Sequence, residues 1–205
     1  VFSMRPEEFA RKSLRLLEEG ASIIGGCCGT TKEHITRLKD KIKDKKPVKA
    51  GGKAIRAVTT ERNTVEISLN GKCMIIGERI NPTGKKNLQK ELLNGDFNLV
   101  NEMAEEQEVA GADILDVNMG MNGIDEKERM IQAIYELLST VNLPISIDSS
   151  YVDVLESALR IYTGRALINS ISLEGSKMEP LIKIAKKYGA MFILLPLSDK
   201  GLPKN

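Results

Sequence analysis

A chain of 205 residues with 41% hydrophobic and 28% charged residues lies in the range of ordinary folded proteins and outside that of disordered ones. A net charge of +2, with the lysines gathered in one stretch and few aromatics beside them, argues against a nucleic-acid-binding face. No apolar run reaches the roughly 20 residues that a bilayer demands, and three cysteines are too few for a disulfide framework, so a soluble, cytoplasmic protein without a membrane partner is expected.

Taken in chain order, residues 6–19 read as a helix. Pro6 stands at its first turn with Glu7 and Glu8, apolar positions recur at Ala10, Leu14 and Leu17, and Gly20 stops it. Residues 21–28 form a short apolar run bounded by glycine, which reads as a strand. Thr30 and Glu33 have capping-box spacing for a second helix through Ile35, Leu38 and Ile42. The chain opens on Val1, almost directly on a helix, as though cut. Residues 39–53 are lysine-rich, with Pro47 and two glycines, and read as a solvated linker. The alternation from Thr64 to Leu69 suggests a short strand or an entry hairpin.

From Met74 onward short apolar strands alternate with amphipathic helices, the pattern of an α/β fold with parallel strands. Strands are expected at 74–80, 113–119, 144–149, 166–171 and 191–197. Helical faces are expected on Phe97, Val100 and Ala104, on Ile131, Ile134 and Leu138, on Val152, Leu155 and Leu159, and on Leu181, Ile184 and Tyr188. Ser176 and Glu179 make a second capping-box pattern. Five strands fit either an open doubly wound sheet or an incomplete (βα)8 barrel, and periodicity does not separate them. On the barrel reading three βα units are absent.

Function in such folds gathers at the carboxyl ends of the strands. Glu78, Arg79 and Asn81 stand at the end of the first expected strand, Asp116 and Asn118 on the second, Asp148 on the third and Asn169 on the fourth. Asp116 and Asn118 are two apart and share a face, as do Ser146 and Asp148. A ring of carboxylates and carboxamides suits a neutral heterocycle with fixed donors and acceptors, such as a pterin. A magnesium-phosphate site is the competing use, but no glycine-rich phosphate loop precedes a helix. Helix caps and turns are the bland alternative, favoured for Ser149 and Ser150.

Cys27 and Cys28 lie between Gly26 and Gly29, at an expected strand end. Adjacent thiols in such a turn suit a thiolate-bound metal or, equally, two small buried side chains. Two sulfurs do not complete a zinc site, and neither His34 nor Cys73 is placed to add a third ligand. A surface position is expected for His34 and a buried one for Cys73.

The run from Gly25 to Thr31, followed by Glu33, His34 and Ile35, resembles the last strand and helix of the zinc-dependent homocysteine methyltransferase barrel. The runs 76–84, 115–120, 146–149 and 167–170 resemble the pterin-binding barrel of corrinoid methyltransferases and, more distantly, dihydropteroate synthase. In this order they resemble the cobalamin-dependent methionine synthase family. That resemblance implies the end of a homocysteine-binding zinc barrel at 1–46, a linker at 47–72, and the first part of a pterin-binding (βα)8 TIM barrel at 73–205. It implies methyl transfer from 5-methyltetrahydrofolate through cobalamin to homocysteine, with zinc as cofactor and a cobalamin-binding domain as partner. Cys27 and Cys28 would be two zinc ligands, Asp148 would hydrogen-bond the pterin, and Asn169 would lie near its N5. Asp116 and Asn118 would line the pocket, with Glu78, Arg79 and Asn81 at its rim. Lys32 departs from the proline more usual there. A chain cut in this way is expected to be inactive alone. The alternatives are a corrinoid methyltransferase outside methionine synthesis and a non-catalytic pterin-binding module.

Overall fold

The computed structural model describes residues 4–46 and 55–203, so most of the lysine-rich stretch expected as a linker (47–54) lies outside the described residues. The chain divides into two compact units, residues 1–54 and 55–205.

The first unit is a helical pair, α1 (Pro6–Glu18) and α2 (Lys32–Ile42), in which Ala10, Ser13, His34 and Leu38 are buried. The capping box falls one residue later than expected: Thr31 is the N-cap, and its backbone N–H donates to Nδ1 of His34 at 3.2 Å. Nε2 of the same ring reaches the carbonyl of Met4 at 2.9 Å, and the ring meets Phe9 edge-on. His34 is therefore a buried tie rather than the surface residue expected, because one imidazole offers both an acceptor and a donor. Residues 21–28 do not form the expected strand. A strand exists only as part of a ladder, and none of the described residues pairs with this segment; Ile23 stands 94% exposed.

The second unit opens with a hairpin, β1 (Ala57–Thr59) antiparallel to β2 (Thr64–Glu66), as the alternation there suggested. Five parallel strands follow: β3 (Ile76–Ile80), β4 (Ile114–Asn118), β5 (Ile145–Asp148), β6 (Leu167–Leu173) and β7 (Met191–Ser198). Between them run α3 (Lys86–Asn94), α4 (Asn98–Val109), α5 (Glu126–Thr140), α6 (Val152–Ile161) and α7 (Gly175–Tyr188). Helix α3 had no counterpart in the expected elements. The second capping box, unlike the first, does not form: Glu174 is the N-cap of α7, and the Gly175 N–H donates to the Asp199 carboxylate at 3.2 Å.

Spatial order equals chain order, β3-β4-β5-β6-β7, with no switch point. A doubly wound sheet reverses its strand order and carries helices on both faces; this sheet does neither. Val117, Ile147 and Ile168 join residues of α3 to α7 in one apolar cluster on one face. On the other face Ile114 and Leu167 pack with Val58 of the hairpin. These are consecutive strands of a (βα)8-type barrel, with the hairpin closing the amino-terminal mouth and the carboxyl tips open.

The hairpin is tied down by specific bonds. The Tyr162 hydroxyl donates to the Thr59 carbonyl at 2.9 Å and accepts from the Ile145 N–H at 3.2 Å. Burial pushes this phenol up to about 12. The Arg165 N–H reaches the Thr59 hydroxyl at 2.9 Å.

Candidate functional site

With Val117 and Ile147 in the helix-side core, strand alternation turns Asp116, Asn118, Ser146 and Asp148 to the barrel interior. The pairing register sets Asp116 beside Ser146, and Asn118, Asp148 and Asn169 in one row. Asn118 Nδ2 donates to Asp148 Oδ2 at 3.0 Å, while Asn118 Oδ1 accepts from the Gly120 N–H at 2.8 Å. Both ends of that amide are fixed, so its NH2 must face Asp148. Asn169 Nδ2 donates to Asp116 Oδ1 at 3.1 Å. Since β4 and β6 are not neighbours, this bond crosses over β5, as only an inward-curving sheet allows. Beneath them the Ser146 hydroxyl is buried without a hydrogen-bond partner among the described residues.

Asp148 is the electrostatically stressed member. Burial pushes its carboxyl above the usual range, and the nearby Asp116 and Glu126 carboxylates add to the rise, against the Asn118 hydrogen bond. Glu126 arrives from α5, whose N-cap Asp125 accepts from the Glu128 N–H at 3.1 Å. At the first helical position, Glu126 accepts from the Ser149 hydroxyl at 2.5 Å. Ser149 also accepts from the Tyr151 N–H at 3.2 Å, the turn role expected of it.

Two hollows lie at the strand tips, the smaller of them lined by Asp148. The larger, about 470 Å³, is bounded by Thr83, Asn118, Met121, Glu126, Ser149 and Tyr151 among others. The smaller, about 270 Å³, includes Asp148, Asn169, Ser172, Lys177, Leu195 and Leu197. Their sizes suit a small organic ligand. Glu126 and Lys177 escaped sequence reading. Each lies in the first turn of a helix that follows a strand, α5 for Glu126 and α7 for Lys177.

The three residues expected at the rim sit differently. Arg79 is paired with Glu106 of α4, on the helix side, and its N–H donates to Gln107 Oε1 at 2.9 Å. The cause is a register irregularity between Gly77 and Ile80, which breaks the simple alternation. Asn81 caps a turn, accepting from the Thr83 N–H at 2.9 Å, and Glu78 is exposed. None of the three is hydrogen-bonded to the Asp148 group.

In the first unit Cys27 and Cys28 are both exposed, with their sulfurs 3.7 Å apart. The Thr30 hydroxyl accepts from the Cys27 N–H at 3.1 Å, which closes the turn. Hydrogen bonds from the Cys28 backbone and thiol hold the Cys27 thiol below its ordinary value. No group of three or more Cys, His, Asp or Glu side chains suited to a metal occurs among the described residues. Two thiolates therefore fit part of a zinc site and do not complete one. Cys73, expected to be buried, is exposed in the loop before β3.

No helix among the described residues is long and apolar enough to cross a membrane. A model of pterin binding enzymes matches residues 77–202, and a model of homocysteine S-methyltransferases matches residues 1–42. Methionine synthase of Mycobacterium tuberculosis is 26% identical over 206 residues, covering 98% of this chain and 17% of its own length. Methionine synthase of Mycobacterium leprae is 27% identical over 215 residues, covering 98% and 18%. The chain thus spans about a sixth of the length of these relatives. Among solved structures, 7,8-dihydropteroate synthase from Vibrio fischeri aligns with a TM-score of 0.47 at 18% identity, over 69% of this chain and 49% of that one.

Proposed function

Because this chain belongs to the pterin binding enzyme family, we propose that its strand-tip pocket holds 5-methyltetrahydrofolate by the pterin ring, as methyl donor in a methionine synthase reaction. The observation that supports this is the pairing of acids with amides, Asn118 to Asp148 and Asn169 to Asp116. Each amide is fixed by an acid. What remains for a ligand is a carboxylate that accepts, beside an amide that both accepts and donates. The amino-pyrimidine edge of a pterin offers parallel N–H donors, and an ionised carboxylate accepts two of them at once. Asp148 takes that role, and Asn169 presents its Oδ1 and second N–H to the ring beside N5.

Loss of methyl from N5 leaves nitrogen as a leaving group, which departs well only when protonated. A carboxamide has no acidic proton to give. Asn169 therefore orients N5, and water supplies the proton. A corrinoid, when bound, supplies the nucleophilic cobalt that accepts the methyl group before it passes to homocysteine. The two thiols do not by themselves complete a zinc site. Cys27 and Cys28 are proposed as two of the ligands that would hold zinc near homocysteine.

Calorimetric titration with 5-methyltetrahydrofolate and with 6-methyltetrahydropterin tests the pocket. Saturable binding of both, one per chain, is expected; absence of binding by either overturns the proposal. In a full-length version of the protein, Asn169→Ala is expected to slow methyl transfer to cob(I)alamin by about 10- to 100-fold while shifting the dissociation constant less. Equal losses in both would make Asn169 a binding group only.

A further inference from the structure

Asp148 and Asn169 stand on neighbouring strands, and the backbone at their tips is joined through Ser149. The Ser149 N–H, next in the chain after Asp148, donates to the Asn169 carbonyl at 3.3 Å. The hydroxyl of the same residue donates to Glu126 Oε1 at 2.5 Å and accepts from the Tyr151 N–H at 3.2 Å, with Ser149 only 4% exposed. Of these three partners Glu126 alone is charged. A hydroxyl that donates to a carboxylate makes a shorter and stronger bond than one between neutral groups. Glu126 is in turn set by α5: it follows the N-cap Asp125, in the first turn, where the helix dipole favours a carboxylate. A Cβ at Gly120 would stand 3.2 Å from Asn118 Oδ1 and 3.5 Å from Glu126 Oε2, so the second carboxylate oxygen lies beside the loop that fixes Asn118.

We propose that Glu126 is a positioning residue for the pterin: clamped on Ser149, it fixes the tip of β5 and with it the spacing between the Asp148 carboxylate and the Asn169 amide. This rests on the pterin reading above. Glu126 lines the larger hollow and Asp148 and Asn169 the smaller, while Ser149 borders both. Glu126 therefore acts on the ring through Ser149 and not by contact. A ring held by a carboxylate on one strand and an amide on the next tolerates little error in their spacing, because hydrogen bonds weaken steeply as distance and angle depart from the optimum.

Calorimetric titration of the wild-type protein and its variants with 6-methyltetrahydropterin reads the effect. Glu126→Ala and Ser149→Ala are each expected to weaken the pterin about tenfold, the size of one hydrogen bond to a charged group. The double substitution should also weaken it about tenfold, and not about a hundredfold, because both changes delete the same bond. Glu126→Gln keeps an acceptor for the Ser149 hydroxyl and should bring the affinity back to within about twofold of wild type, a rescue that loss of the helix-terminus charge alone would not give. Glu128→Ala, two residues along α5 with a side chain 61% exposed, serves as the charge control and should leave the affinity unchanged. Unchanged affinity in Glu126→Ala, a loss of about a hundredfold in the double variant, or no rescue by Glu126→Gln overturns the inference and leaves the pterin reading standing. Wild-type protein that binds no pterin overturns both.

Discussion

Asp148→Ala is expected to remove measurable pterin binding. On the proposed pterin reading the substitution deletes the acceptor for two ligand N–H groups, and it orphans Asn118 Nδ2, which now donates to Asp148 at 3.0 Å. Removing a charged acceptor from a ligand's hydrogen bonds while orphaning a neighbouring donor costs about 2–5 kcal/mol, or roughly 30- to 4,000-fold in affinity. Calorimetry of the variant reads this directly. Stability should move the other way in the ligand-free protein. The Asp148 carboxyl is raised, first by burial and then by Asp116 and Glu126. A raised carboxyl favours folding while protonated, and that contribution is lost as pH climbs from its ordinary value of 3.8 through the raised one. Once ionised, Asp148 therefore works against folding. Asp148→Asn should raise the melting temperature at pH 7, and the gain should vanish below pH 3.8. A gain that persists unchanged in acid would assign it to something other than this charge. A binding residue that costs stability when empty is a common feature of functional sites.

Gly164→Ala is the largest stability effect expected outside the pocket. A Cβ at Gly164 would stand 1.9 Å from the Thr59 carbonyl oxygen and 2.7 Å from its carbon, both backbone atoms. Close approach is the reason for glycine here, and no rotamer relieves it. The hairpin must shift, which strains the bonds from Tyr162 and Arg165 to Thr59 and loosens Val58 from Ile114 and Leu167. Overpacking against fixed backbone, with loss of hydrogen bonds, amounts to about 2–4 kcal/mol. Urea denaturation of the variant should show that loss. A change below about 0.5 kcal/mol, the scatter of ordinary surface substitutions, would mean that the hairpin does not seat against Gly164.

Much of the barrel was legible because its signals are local. Five apolar runs with amphipathic stretches between them are five strands and the helices that connect them, and the two-residue spacing of Asp116 and Asn118 puts both inward. What escaped depends on contacts distant in sequence. The barrel and the doubly wound sheet differ only in strand order, which no single strand encodes. Arg79 followed the register irregularity of β3 to Glu106, and the Gln107 side chain that supports the bend lies beside Glu106 on α4, some thirty residues on. Residues 21–28 have a strand's composition but no neighbour to pair with among the described residues. Helix α3 was local and was still missed: Leu88 and Leu92 are four apart, and Gly95 stops the helix in the left-handed region, signals that the preceding Pro82 and Gly84 obscured. Glu126 and Lys177 were hidden for another reason. Each lies in the first turn of a helix, where a Glu is ordinarily read as favourable to the helix terminus and a Lys as solvated, and only the fold places those turns over the strand tips.

A crystal structure of the protein with a bound tetrahydropterin tests the strand-tip pocket most directly. The expected result is a ring seated beside Asn169, its amino-pyrimidine edge within about 3 Å of both Asp148 carboxylate oxygens. A ring bound elsewhere on the molecule, or one that leaves Asp148 without contact, would contradict it.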